Sequence, residues 1–152
     1  MARSIQLLEV MLCAAAMIWA ADPAVGTWKL NLAKSKYVPG PAPRSQTRVY
    51  AEAPDGMKAT VTTLNRDGRT FVEEYAANYD GVEHAVTGDP YLDGIIMKKV
   101  DAFTAESTLI HAGVVLGMAK RTVSADGKTM TITYQGTLGG QKVNNIGVYD
   151  KQ

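Results

Sequence analysis

From residue 25 onward the chain alternates apolar and polar side chains with a period of two, in short runs rich in Thr, Val, Tyr and Ile. The runs cover residues 25–32, 44–52, 57–64, 69–77, 82–86, 95–100, 106–111, 118–124, 129–137 and 143–151. A period of two sends successive side chains to opposite faces of a sheet, and β-branched and aromatic residues fit a pleated surface, so these runs are predicted strands. Asp-Gly pairs punctuate them at Asp55-Gly56, Asp67-Gly68, Asp80-Gly81, Asp93-Gly94 and Asp126-Gly127, and Gly139-Gly140 adds a further turn. Glycine takes the positive φ of tight hairpin turns, and the regular spacing predicts strands running up and down beside their sequence neighbours. No helical period is sustained; only residues 32–37 have room for a single helical turn. The segment Pro39-Gly40-Pro41-Ala42-Pro43 must be extended. It reads as a connector or as a rigid flap over one end.

A soluble antiparallel sheet of this many short strands has to hide its edges, and closure does so. The predicted fold is therefore all-β, a single antiparallel up-and-down barrel of about 8–10 strands. Eight strands can be filled by side chains or hold one small ligand, whereas ten leave a cavity unless large residues occupy it.

Ahead of the barrel stand Arg3, an uninterrupted apolar stretch over residues 10–21, and the small pair Ala20 and Ala21 before Asp22 and Pro23. This is the layout of a cleavable signal. It divides the chain into a signal peptide, 1–21, and a barrel domain, 22–152, exported to the periplasm or secreted. The apolar stretch is shorter than the roughly 20 residues of a membrane span, so no stable membrane anchor is expected. Cys13, the only cysteine, falls in the signal, with Leu12 where lipidation would want a small residue. Disulfides thus play no part in the domain. A formal net charge of +1 with no basic cluster argues against a nucleic-acid partner.

Val25-Gly26-Thr27-Trp28-Lys29-Leu30 resembles the opening strand of the calycins. Gly-x-Trp is the lipocalin start signature, and Gly-Thr-Trp-Lys-Leu is similar to the start of fatty-acid-binding proteins. The stretch Asp126-Gly127-Lys128-Thr129-Met130-Thr131-Ile132-Thr133, with a closing strand ending in Tyr149-Asp150-Lys151, is similar to the last two strands of that family. The mature chain as a whole resembles small exported bacterial lipocalin-like proteins. This implies a lipocalin-like barrel with Gly26 and Trp28 in structural roles. Fatty-acid-binding proteins carry a helical pair where this chain has its proline-rich connector. They grip a carboxylate with an Arg-x-Tyr in the last strand and a second arginine two strands earlier. Tyr149 matches that tyrosine, Gly147 stands where the first arginine would be, and Arg121 matches the second.

Trp28 shares parity with Leu30 and Leu32 and is expected inside, as a plug at the closed end. Arg121 shares a face with Ala119 and Val123. Turned inward, it needs a carboxylate partner, an aqueous cavity or an anionic head group. Glu74, with Val72 and Ala76, is one candidate partner, and Glu73 on the opposite face is another; an exterior salt bridge is the competing reading. Tyr134, Tyr149, Phe71 and Tyr75 offer aromatic walls and hydroxyls, and Met97, with Met57 and Met118, a pliable lining. Lys34, Lys36, Arg44 and Arg48 read as a solvated rim. His84 and His111, without cysteine, do not build a metal site, and no cofactor is expected. Glu73 and Glu74 point to opposite faces, and no Gly-x-Ser-x-Gly elbow occurs, so no catalytic set is visible. The expectation is a monomeric, non-enzymatic barrel for a small hydrophobic or amphipathic ligand. The alternative is an envelope-associated protein-interaction module that uses the barrel as a scaffold.

Overall fold

The structure is a computed structural model that describes residues 20–152; the expected signal peptide, apart from its last two residues, lies outside the described residues. Eleven strands follow one another: β1 (Gly26–Leu30), β2 (Lys36–Val38), β3 (Ser45–Ala53), β4 (Gly56–Leu64), β5 (Thr70–Asn78), β6 (Glu83–Thr87), β7 (Gly94–Asp101), β8 (Thr104–His111), β9 (Val114–Val123), β10 (Thr129–Leu138) and β11 (Gln141–Lys151). Every pairing is antiparallel, and β1 bonds to both β3 and β11. Ten strands, β1 and β3 to β11, therefore form a closed up-and-down barrel, the architecture predicted from the turn rhythm.

The short β2 continues the line of β1 along β11. β1 meets β11 at Leu30↔Tyr149, and β2 meets it again at Ile146↔Lys36. Between them lies a single 3-10 turn, Leu32–Lys34, whose N-cap Asn31 accepts from the Lys34 amide. Ser35 then completes the seam, its Oγ accepting from the Val148 amide at 2.9 Å while donating to the Asn31 carbonyl at 2.7 Å. Leu32, expected to face inward, sits on this turn and is exposed. The strand parity that places Trp28 inside ends at the turn.

Most Asp-Gly pairs form turns as expected, but Asp93-Gly94 does not. Gly94 opens β7 and pairs with Ile110, while the Asp93 carboxylate accepts from the Ala112 amide. The reversal comes earlier, at Gly88 (φ +81), where a Cβ would stand 1.8 Å from the Val72 carbonyl oxygen. The 88–92 loop is thereby folded down against β5. A further turn, Ala112-Gly113, carries no Asp-Gly signal, so β9 begins at Val114 rather than near residue 118.

The interior has two halves. At the closed end Trp28, Met57, Met97 and Met130, all essentially inaccessible, pack with Ala24, Ala59, Ala77 and Val123. Trp28 is 0% exposed, and its indole N–H donates to the Ala24 carbonyl at 2.8 Å. Toward the other end, bounded by the proline-rich connector and the β4–β5, β6–β7 and β10–β11 loops, the packing gives way to open space. The proline-rich segment therefore lies at the mouth of the barrel.

Candidate functional site

The space enclosed by the upper barrel is a cavity of about 610 Å³, within the range that small-molecule pockets occupy. Phe71, Leu92, Ile95, Leu109, Ile132, Leu138 and Val143 give it apolar walls, with Phe71, Leu138 and Val143 toward the mouth. Its deeper part is polar, and two arginines dominate it.

Arg48 reaches the interior because β1 and β3 pair with Trp28 opposite Arg48. Residues opposite one another across a ladder share a face, so Arg48 turns inward with Trp28 and is half-buried at the cavity. Its Nε donates to Gln46 Oε1 at 3.1 Å and its Nη1 to the Tyr50 hydroxyl at 3.3 Å. The guanidinium carbon lies 5.3 Å from the centroid of the Tyr149 ring. Gln46 is itself held in place, donating to Thr63 Oγ1 at 2.8 Å and accepting from the Tyr149 hydroxyl.

Arg121 enters from β9, across the barrel, two residues above the closed-end Val123, and is 8% exposed. Its Nη2 donates to the Tyr79 hydroxyl at 2.6 Å, and its guanidinium lies 5.0 Å from the centroid of Tyr50. The Tyr79 hydroxyl in turn donates to Asp22 Oδ2 at 2.8 Å, and Lys99 donates to the same oxygen. Burial opposes ionisation of Asp22, yet the hydrogen bonds from Lys99, the Ala24 amide and Tyr79 hold its carboxyl below the usual range.

Tyr50 thus lies between two guanidiniums. Burial alone would raise its phenol; the charges of Arg48 and Arg121 outweigh that and make it more acidic than an ordinary tyrosine. Among the described residues neither arginine forms an ion pair with a carboxylate. A carboxyl facing the same cavity is Glu73, on β5 one inward position above Tyr75. Burial pushes Glu73 up to about 7, with Arg48 opposing the shift and Asp89 adding to it. Asp89, carried in by the 88–92 loop, lines the same cavity and is likewise raised by burial.

Of the residues singled out from the sequence, Arg121, Tyr134, Tyr149, Phe71 and Tyr75 line this one cavity. Tyr134 sits high in it, its hydroxyl donating to the Thr137 carbonyl at 3.0 Å. Met97 lies below the cavity in the closed-end core, beside Trp28. Gly26 has φ +133 and carries the Lys151 side chain over it, 2.9 Å from where a Cβ would stand. His84 pairs with Asp80, and His111 faces Asp93.

Three expectations need correction. Glu74 is no partner for Arg121: on β5 the inward residues are Phe71, Glu73, Tyr75 and Ala77, and Glu74 points to solvent. An exterior salt bridge does not describe Arg121, which is buried and bonded to Tyr79. Arg48 belongs to the interior and not to a solvated rim. At the rim, Arg44 holds the Arg66 carbonyl at 2.8 Å.

Sequence reasoning also missed Gln46, Tyr50, Tyr79, Asp22 and Asp89 as site residues. For Gln46 and Tyr50 a signal existed, since both share parity with Arg48 on β3 and the Trp28 pairing fixes which parity is inside. Tyr79, Asp22 and Asp89 lie in loops where no periodicity applies. Protein-family profiles and curated proteins give no match to this chain.

Proposed function

We propose that the protein is an exported, calycin-like binding protein without catalytic turnover, which holds one small amphipathic molecule with its acidic head group between Arg48 and Arg121. The observation that carries this reading is two inward-facing guanidiniums, Arg121 buried and Arg48 half-buried, in an open cavity where, among the described residues, no carboxylate is paired to either. A buried cation without a counter-charge costs several kcal/mol, and an anionic ligand removes that cost. Charge-assisted hydrogen bonds to a bound oxyanion are stronger than neutral ones. The apolar walls above the arginines, Phe71, Leu109, Leu138 and Val143 among them, suit a hydrocarbon tail leading to the mouth. Arg48 stacked on Tyr149 supplies, from β3, a guanidinium that the calycin resemblance would place at Gly147. A side chain at that position would meet the Tyr149 ring at 2.9 Å.

The test is to incubate the purified protein with a lipid extract and identify by mass spectrometry what it retains. An acidic amphiphile at one per protein is the expected result, and retention of nothing, or of neutral lipids alone, refutes the reading. The interaction-module alternative draws on one observation, the exposed apolar strip of Val114, Val115 and Met118 on β9. A stoichiometric protein captured from an envelope fraction, lost on Val115→Asp, is the result that favours it.

A further inference from the structure

We infer that anion binding in this cavity is coupled to proton uptake by the Glu73 and Asp89 carboxyl pair, so that the site takes up its ligand as the pH falls and releases it as the pH rises. The inference rests on the binding reading above and concerns its regulation.

Its basis is placement. Glu73 faces the cavity from β5 between Phe71 and Tyr75, in one row with Arg48 of β3 across Val61 of β4, and the charge of Arg48 acts on it. The sharp turn at Gly88 presses the 88–92 loop onto β5, and a Cβ at Gly88 would also stand 3.6 Å from the Cα of Glu73. Asp89 is thereby set beside Glu73, with its Oδ1 accepting the Tyr91 amide at 2.7 Å. Two carboxyls set side by side and partly withdrawn from solvent do not both ionise readily, so the pair retains a proton above the ordinary carboxylate range. With the proton bound, Arg48 is a free cation for an incoming anion. With the proton gone, Glu73 supplies the counter-charge itself and repels the ligand's head group.

The charges that act on Glu73 come from several elements. From β3 there are Arg48 and the acidified Tyr50, from its own strand Tyr75, and from the β6–β7 loop Asp89. His111 of β8 lies behind Asp89, Arg121 of β9 reaches the group through Tyr75, and Tyr149 of β11 borders Arg48. The inward neighbours on β4, Val61 and Thr63, carry no charge. Of these groups the carboxyl pair carries the proton at issue, while the side chain of His111 is exposed and faces Asp93. Glu73 titrates about 7 in the ligand-free protein. A bound anion beside it raises that value further, and binding therefore takes up to one proton across the window from about pH 7 upward.

The experiment titrates purified protein with decanesulfonate, whose own charge is constant, at pH 6, 7 and 8. Wild type is expected to bind about five- to tenfold more tightly at pH 6 than at pH 8, a slope bounded by one proton. Calorimetry at pH 7 in two buffers of different ionisation enthalpy should show net proton uptake. Glu73→Gln should bind tightly with no slope, and Asp89→Asn should shift the slope to lower pH by lowering the Glu73 midpoint. Binding by wild type that is flat from pH 6 to pH 8, or a slope that survives in Glu73→Gln, overturns the coupling while leaving the binding reading intact. Absence of decanesulfonate binding at every pH overturns the binding reading, and the coupling with it.

Discussion

Replacing Arg121 by Met separates what this residue does for the fold from what it does for the site. In the fold the guanidinium is 8% exposed, gives one hydrogen bond to Tyr79, and lies over Tyr50 at 5.0 Å. A hydrogen bond from a charged donor contributes about 1.5–3 kcal/mol and a desolvated cation–π contact about 2 kcal/mol. Against these stands a desolvation penalty of several kcal/mol with no ion pair to offset it. The two sides cancel to within about 2 kcal/mol. Met fills a similar volume, and Tyr79 keeps Asp22 as its acceptor. The melting temperature of ligand-free protein should therefore stay within roughly 8 °C of wild type, taking about 4 °C per kcal/mol for a domain of this size. Binding should behave differently, because truncating one side of a buried charged contact costs about 2–5 kcal/mol. That corresponds to a loss of about 30-fold to several thousandfold in Kd. Thermal melts and calorimetric titration with decanesulfonate measure both quantities on one preparation. If the variant binds within about threefold of wild type, Arg121 does not hold the head group. If it fails to fold, the cancellation is wrong and Arg121 is chiefly structural.

Trp28→Ala empties the centre of the closed-end core and should destabilise by about 3–5 kcal/mol in urea unfolding, while an unchanged midpoint would show that the packing assignment fails. Glu73 stays protonated in the fold up to about 7 but ionises near 4.5 in the unfolded chain. Its contribution to stability therefore falls as the pH rises between those values and levels off above 7; Glu73→Gln should lack that fall, and a parallel decline in wild type and variant would contradict the burial of this carboxyl. Ultraviolet titration should reveal one tyrosine ionising below the ordinary range, and Tyr50→Phe should remove that early step. Ser35→Ala takes away the acceptor of the Val148 amide, so exchange at that amide should speed up selectively among β11 amides, and uniform exchange along β11 would refute the role of Ser35 in the seam.

The barrel was legible because its cues are local. Alternation sets the strands, Asp-Gly sets most turns, and the edge problem forces closure, so ten strands and their antiparallel order follow without knowledge of any distant contact. Where a cue was ambiguous the expectation slipped: Asp93-Gly94 has the composition of a turn, but Gly88 reverses the chain first and leaves Asp93 to anchor the next hairpin. The site was half legible. Arg121, Tyr149, Tyr75, Phe71 and Tyr134 were found from parity within strands whose apolar face is plain. Arg48 was misplaced because its strand carries Val49 and Ala51 on the opposite parity, so composition points the wrong way and only the ladder partner, Trp28, tells which face is inside. The same failure put Glu74, with Val72 and Ala76 beside it, on the wrong side of β5. Asp22, Tyr79 and Asp89 arrive through loops, and no periodic argument reaches them.

The chain of contacts from Arg121 through Tyr79 to Asp22 ties the deep cation of the cavity to the segment just ahead of β1. A shortened protein beginning at Ala24 would keep all ten strands, yet its Tyr79 hydroxyl would lose its acceptor and Lys99 its counter-ion. Arg121 would keep its hydrogen bond to Tyr79 and its place over Tyr50, but Tyr79 itself would no longer be anchored. On the binding reading, a residue outside every strand, Asp22, would thus govern how firmly an anion's charged end is grasped, a dependence that the strand arrangement by itself gives no hint of.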